Sequence, residues 1–287
     1  MKSHKVIGGG GVELNVVETG NAGGRPILFI HGFTQSLFAW TRQLHSDLAD
    51  DFRLVAMDIR GHGASGKPMD PAAYTDSKLW ADDVNAVIQT LNLDRPVLVG
   101  WSYAPLIILD YIRYYGEDKV GGLYFVGGIT KLGTEEATAF LTPDILNLVP
   151  GFFSTEVEDS VKSLESLVRL FFVNEAAAED VYLMLGYESL VPPFVRQALF
   201  SRVLDNDDLL SQTKLPILIT HSLEDKIVFT SAAEQIRSVA GHPEMHHPTN
   251  VGHAVFWEDA AGFNARLREF ASGIGRGEKG QPAAGRP

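Results

Sequence analysis

The chain has 287 residues, 45% of them hydrophobic, enough for one large core, and single α/β domains commonly reach about 250 residues. A formal charge of -12 argues against nucleic-acid and anionic-membrane partners, which require clustered Lys and Arg. With no cysteine, disulfides, thiolate metal sites and cysteine nucleophiles are excluded, so any nucleophile is oxygen- or nitrogen-based.

Residues 1–6 run into a glycine cluster without the apolar core of a signal peptide, and no later stretch is apolar enough to cross a bilayer. A cytoplasmic location without a membrane partner is the expectation, and the oligomeric state stays open. Residues 12–18 alternate apolar and polar, the pattern of an antiparallel edge strand exposed on one face. Residues 26–30, 53–57, 96–99, 122–126 and 215–219 are instead short, nearly continuous apolar runs, as in parallel strands covered on both faces. Helical patterns occupy residues 37–48, 77–91, 104–115, 232–239 and 256–270. This alternation predicts an α/β fold with a mostly parallel, doubly wound sheet built from residues 1–129 and 209–272. Between them, residues 130–208 read as an inserted helical cap of amphipathic segments separated by Pro143, Pro150 and Pro192-Pro193. Residues 273–287 are rich in Gly, Pro, Lys and Arg, too poor in apolar groups to pack, and are expected to be disordered.

Four segments place chemistry at the carboxyl ends of these strands, where open α/β sheets form their crevice. His31-Gly32-Phe33 follows the first apolar run. Alone it could be a simple turn, but a backbone N–H there can also face the crevice. Gly100-Trp101-Ser102-Tyr103-Ala104 joins a strand to a helix and nearly matches the G-x-S-x-G nucleophile turn, with Ala104 at the last small position. Pro105 suits a helix's first turn, and a Ser102 that merely caps that helix is the competing reading. The backbone N–H groups of Phe33 and Tyr103 form the expected oxyanion pair. His221 to Asp225 delivers a carboxylate after the strand ending near Thr220, with Asp225 as the candidate acid and Glu224 as its competitor. Gly252-His253-Ala254 places a histidine before the last helix, completing the chain order Ser, acid, His. His253 would then act as the base that takes the Ser102 proton. His242, His246 and His247 cluster in sequence, but the adjacent pair in a strand would point to opposite faces, so no metal or cofactor is expected.

Together, His31-Gly32-Phe33, Asp58 to Ser65, Gly100 to Ala104, Asp225 and Gly252-His253 resemble the α/β-hydrolase superfamily over nearly the whole chain from Val12 to Phe270. Within it the chain looks most like the capped, cofactor-free chloroperoxidases, aryl esterases and lactonases. The resemblance implies that Asp58 to Ser65 is a structural loop in which Arg60 ties neighbouring backbone together. A serine at the turn sets the chain apart from the haloalkane dehalogenases and epoxide hydrolases of this fold, which attack with aspartate. The activity implied is hydrolysis of a small hydrophobic ester or lactone through an acyl-enzyme. Perhydrolysis, carbon-carbon bond hydrolysis and a small-ligand receptor role are the alternatives that relatives suggest. Trp101, Phe172 and Phe194 are the expected substrate-binding aromatics.

Overall fold

The apolar runs become the centre of one eight-stranded sheet in the computed structural model, which describes residues 1–274. In chain order the strands are Lys2–Ile7 (β1), Glu13–Gly20 (β2), Pro26–Ile30 (β3), Arg53–Met57 (β4), Val97–Trp101 (β5), Gly122–Val126 (β6), Lys131–Leu132 (β7), Leu204–Asp205 (β8), Ile217–Thr220 (β9) and Glu244–His246 (β10). The large sheet runs β1-β2-β4-β3-β5-β6-β9-β10, while β7 and β8 pair separately. Pairing is parallel from β4 to β10 and antiparallel at β1-β2 and β2-β4. The chain therefore has the α/β-hydrolase architecture that its motifs imply.

Every residue of β3, β5, β6 and β9 is buried, which is why these strands read as unbroken apolar runs. At about 1.5–3 kcal/mol for each fully buried large aliphatic or aromatic side chain, these central strands dominate the core. The strand order reverses between β3 and β5, so the chain leaves both strands at a topological switch point. Their paired register, Ile30 against Gly100, brings the His31 loop and Ser102 to the same edge.

Several expectations need correction. Residues 13–20 are antiparallel as read but lie inside the sheet, because the polar segment Lys2–Ile7 covers their outer edge. Residues 37–48 do not form one helix: a 3-10 turn at Leu37–Trp40 and a short helix at Thr41–Leu44 precede a break and a second short helix at Leu48–Asp51. The last helical pattern is likewise split into Val255–Glu258 and Ala260–Gly273, with the Asp259 carboxylate accepting from the Gly262 N–H at 2.9 Å. Between β6 and β9 the chain forms the helices Pro143–Phe153, Val157–Leu170, Ala178–Glu188 and Pro193–Phe200. Pro143 and Pro193 begin helices, but Pro150 sits inside one rather than separating two. At the carboxyl end the chain is still helical at Gly273, and Arg25 Nη2 donates to the Ile274 carbonyl at 3.0 Å, so the disordered tail cannot begin at residue 273. Residues 275–287 of that expected tail lie outside the described residues.

Candidate active site

Ser102 lies between β5 and the Ala104–Tyr115 helix at φ 59°, the left-handed region that a non-glycine residue enters at a cost of about 1–2 kcal/mol. The turn is locked from both sides: the Ser102 N–H donates to the Val126 carbonyl at 2.9 Å, and the Ile129 N–H donates to the Ser102 carbonyl at 3.1 Å. Close approach explains the small residues around it. A Cβ on Gly32 would stand 2.9 Å from Ser102 Cβ, so the loop after β3 passes Ser102 only as glycine. Ala104, the departure from the usual glycine, is accommodated in full burial.

His253 and Asp225 form a buried pair, each side chain 1% exposed, with Nδ1 and Oδ2 2.7 Å apart. Burial would raise the Asp225 carboxyl. The charge and hydrogen bond of His253, the charge of His221 and the Val228 N–H outweigh it and hold the group below its ordinary range. An ionised carboxylate only accepts, so the imidazole proton sits on Nδ1 and Nε2 keeps its lone pair. The other carboxylate oxygen, Oδ1, accepts from the N–H groups of Ile227 at 2.8 Å and Val228 at 3.0 Å. Glu224, the competing acid, is exposed and accepts from the Asn250 N–H. The His253 loop is fixed by Glu258, which accepts from the Gly252 N–H, and by the Ala254 N–H donating to the Phe171 carbonyl at 3.0 Å.

The peptide joining Gly32 to Phe33 is also held. Its carbonyl contacts His31 Nδ1 at 2.9 Å and accepts from the Gln35 N–H at 3.2 Å. Since His31 Nε2 accepts from the Ile59 N–H at 3.1 Å, the His31 proton belongs on Nδ1 and is donated to that carbonyl. Burial keeps His31 neutral, pushing its pKa below the ordinary value against the charge of Asp58. The Phe33 N–H, trans to the restrained carbonyl, has no acceptor among the described residues, and neither does the Tyr103 N–H. Both residues line one cavity with Gly32, Trp101, Ser102 and His253. In this structure Ser102 Oγ makes no hydrogen bond to His253 Nε2, a contact that often tightens only around substrate.

That cavity has a volume of about 50 Å³ and, among the described residues, its lining contains no carboxylate, lysine or arginine. Trp101 lines it as expected, with its indole Nε1 donating to the His253 carbonyl at 3.1 Å. Phe172 and Phe194 do not. Phe171 supplies the wall in place of its neighbour, and Phe194 packs edge-on against Tyr74 at 6.2 Å. Phe200 completes the enclosure, packing against the Phe33 ring at 4.8 Å. A wider polar depression of about 860 Å³ opens beside Arg25, Arg95 and Lys214 at the opposite ends of the strands, with no serine or histidine among its described lining.

Asp58 and Arg60 are absorbed by structure. Asp58 accepts from the N–H groups of Leu37 and Ala64, and Arg60 pairs with Asp83 through two 2.7 Å bonds while donating to three backbone carbonyls. Breaking such a buried pair typically costs about 3–5 kcal/mol, which marks Arg60 as a structural anchor. The three clustered histidines diverge. His246 contacts the Thr220 hydroxyl, His247 contacts the His221 carbonyl, and no group of three potential ligands gathers among the described residues.

Sequence reasoning missed three neighbours of the site. Gly127, at φ 50°, lies beneath the acid-base pair, where a Cβ would come 3.0 Å from His253 Nδ1 and 3.2 Å from Asp225 Oδ2. His221 Nε2 lies 2.9 Å from the Val228 carbonyl and 3.4 Å from Asp225 Oδ2. Glu188 packs under the loop after β3.

Comparison with known proteins follows the same lines. A family model described as alpha/beta hydrolase fold matches residues 25–260. The AB hydrolase superfamily protein YisY of Bacillus subtilis is 28% identical over 254 residues, covering 87% of this chain and 92% of that protein. The structure of the esterase RhEst1 from Rhodococcus sp. ECU1013 is similar at a TM-score of 0.91 and 32% identity, covering 96% of this chain and 100% of that one. A structure described as a putative aryl esterase from Burkholderia cenocepacia gives a TM-score of 0.88 at 29% identity, covering 94% and 98% of the two chains. Among the described residues no helix is long and apolar enough to cross a membrane.

Proposed function

We propose, since this chain belongs to the α/β-hydrolase family, that it hydrolyses a small, uncharged, apolar carboxylic ester or lactone through an acyl-enzyme on Ser102. The observation that carries the reading is a strained serine sharing one uncharged cavity with a histidine whose far nitrogen is held by a buried carboxylate. In this mechanism His253 Nε2 takes the Ser102 proton as Oγ attacks the acyl carbon, and Asp225 steadies the imidazolium that results. The N–H groups of Phe33 and Tyr103 receive the charge that grows on the acyl oxygen. His253 then protonates the leaving alkoxide, and a water activated by the same imidazole releases the acid. Residues 130–208 act as the cap that walls this cavity.

The test is a panel of nitrophenyl esters and lactones, with mass spectrometry of the quenched enzyme. Many turnovers, with the acyl mass carried on Ser102, are expected. A single sluggish cycle would instead identify a receptor, and an acyl group on any other residue would refute the assignment of the nucleophile.

Apolar walls also set the substrate's length. Leu132, Leu141 and Phe200 line both the inner cavity and an outer apolar groove of about 300 Å³ that runs past Leu146 and Pro150. They form the partition between the two. Phe200→Ala should join the spaces and move the acyl-chain optimum to longer esters, each newly covered methylene contributing about 0.8 kcal/mol, or roughly fourfold in kcat/KM. Chain-length profiles of the wild type and the variant decide this. An unchanged profile would remove Phe200 from specificity, and a wild-type optimum at long lipids would contradict the small-substrate reading.

A further inference from the structure

Glu188 ends the Ala178–Glu188 helix and is 0% exposed, an unusual position for a carboxyl group that forms no ion pair among the described residues. Its contacts go to the loop after β3: Oε1 lies 3.2 Å from the Thr34 hydroxyl and also meets the Gln35 side-chain amide. Its Oε2 has no partner among the described residues. The loop it touches is itself strained, with Thr34 at φ 61°. It is also the loop that presents the Phe33 N–H, since the Gln35 N–H holds the Gly32 carbonyl and the Thr34 hydroxyl lies 2.6 Å from the Phe33 carbonyl.

We propose that Glu188 is a positioning residue for the oxyanion site: it locks the Thr34-Gln35 turn, and with it the Phe33 N–H, so that the site is complete only while the Ala178–Glu188 helix stays docked on the loop. The proposal rests on the serine-hydrolase reading above. Hydroxyl bookkeeping indicates the form in which Glu188 does this. Thr34 has one hydroxyl proton, and its shorter contact is with the Phe33 carbonyl. A proton on Glu188 Oε1 then fills the contact with Thr34, giving a relay from Glu188 O–H to Thr34 O–H to the Phe33 carbonyl, while a lone pair of the same oxygen accepts from the Gln35 side-chain N–H.

The surroundings favour the neutral acid. Burial pushes the Glu188 carboxyl well above its ordinary range, against the smaller pulls of Thr34, Arg196 and Gln35. Arg196, on the Pro193–Phe200 helix, donates through Nε to the Val191 carbonyl at 3.0 Å and through Nη1 to the Ser160 hydroxyl at 3.0 Å, and it acts on Glu188 through its charge rather than through a hydrogen bond. Tyr187, on the same helix as Glu188, is also buried and is pushed above its ordinary range, chiefly by that burial. The loop itself contributes only the neutral Thr34 and Gln35. The folded state therefore binds a proton that the unfolded chain releases above the ordinary glutamate range. This contribution to stability is complete below that range and is lost as pH rises toward the raised value.

The test measures kcat, KM and folded fraction against pH for the wild type, Glu188→Ala and Glu188→Gln. An oxyanion donor acts in the transition state, so Glu188→Ala should lower kcat per folded molecule by about 10-fold or more with KM little changed. Glu188→Gln, neutral at every pH and able to donate to Thr34, should recover kcat to within about threefold. Wild-type kcat should fall on an alkaline limb that Glu188→Gln lacks. An unchanged kcat per folded molecule in Glu188→Ala, or the same alkaline limb in Glu188→Gln, would overturn the proposal. If Glu188→Ala does not fold, the two remaining pH profiles decide it alone. Failure of the underlying reading is recognised separately, as Ser102→Ala turning over in the same assay.

Discussion

Ser102→Ala is expected to lower kcat for ester hydrolysis by on the order of 10^4- to 10^6-fold, the range seen when a nucleophile that acts as one unit with its base is removed. The variant keeps the cavity, the paired His253 and Asp225 and the free N–H groups of Phe33 and Tyr103. Substrate binding should therefore survive, and the loss should appear in kcat rather than KM. Stability provides the control. Alanine keeps the Cβ that makes φ 59° costly, whereas Ser102→Gly should relieve the strain and stabilise the fold by about 1 kcal/mol while abolishing turnover equally. A more stable, fully folded and inactive Ser102→Gly separates chemistry from folding in one measurement. Residual activity above a few per cent in either folded variant would remove Ser102 from the role of nucleophile.

The strands that carry this site were legible because burial on both faces leaves a run such as Ile27 to Ile30 no room for polar residues. β1 was not legible, because Lys2, Ser3, His4 and Lys5 are held by backbone pairing to β2 while their side chains stay largely outside the core. Periodicity also passes through short breaks, so the interruptions at His45 and Asp259, which are matters of local backbone geometry, left no apolar signature. In the site, the positions of Ser102, Asp225 and His253 could be read because each lies just beyond a recognisable strand or before a helix. Choosing Phe172 over Phe171 was beyond the sequence, since adjacent helical-end aromatics face different directions and only packing selects one. Phe171 stacks on the His253 ring at 6.0 Å. Glu188 was invisible for a different reason: its partners Thr34 and Gln35 lie more than 150 positions away, and nothing local distinguishes it from an exposed helical glutamate.

Asp225→Asn should lower kcat by on the order of 10^4-fold, and Glu224→Gln should change it by no more than about twofold. The hydrogen bonds around Asp225 give the reason. Its Oδ1 is held by the N–H groups of Ile227 and Val228, which can only donate. An asparagine there must keep its carbonyl oxygen toward those donors, which turns its NH2 toward His253 Nδ1. Nδ1 then has to accept, the ring proton moves to Nε2, and the nitrogen that should take the Ser102 proton no longer has a lone pair. The same NH2 also faces His221 Nε2, 3.4 Å from Oδ2 in the native pair, whose proton is donated to the Val228 carbonyl, so a donor meets a donor and the substitution gains no compensating hydrogen bond there. Glu224, exposed and bonded to the Asn250 N–H, touches neither His253 nor Ser102. Steady-state kinetics on the two variants decide the assignment, with the His253 tautomer in Asp225→Asn followed by nitrogen NMR. A crippled Glu224→Gln beside an active Asp225→Asn would transfer the acid role to Glu224. An Asp225→Asn variant that lost activity while retaining the Nδ1–H tautomer would show that charge at Asp225, rather than ring orientation, carries the effect.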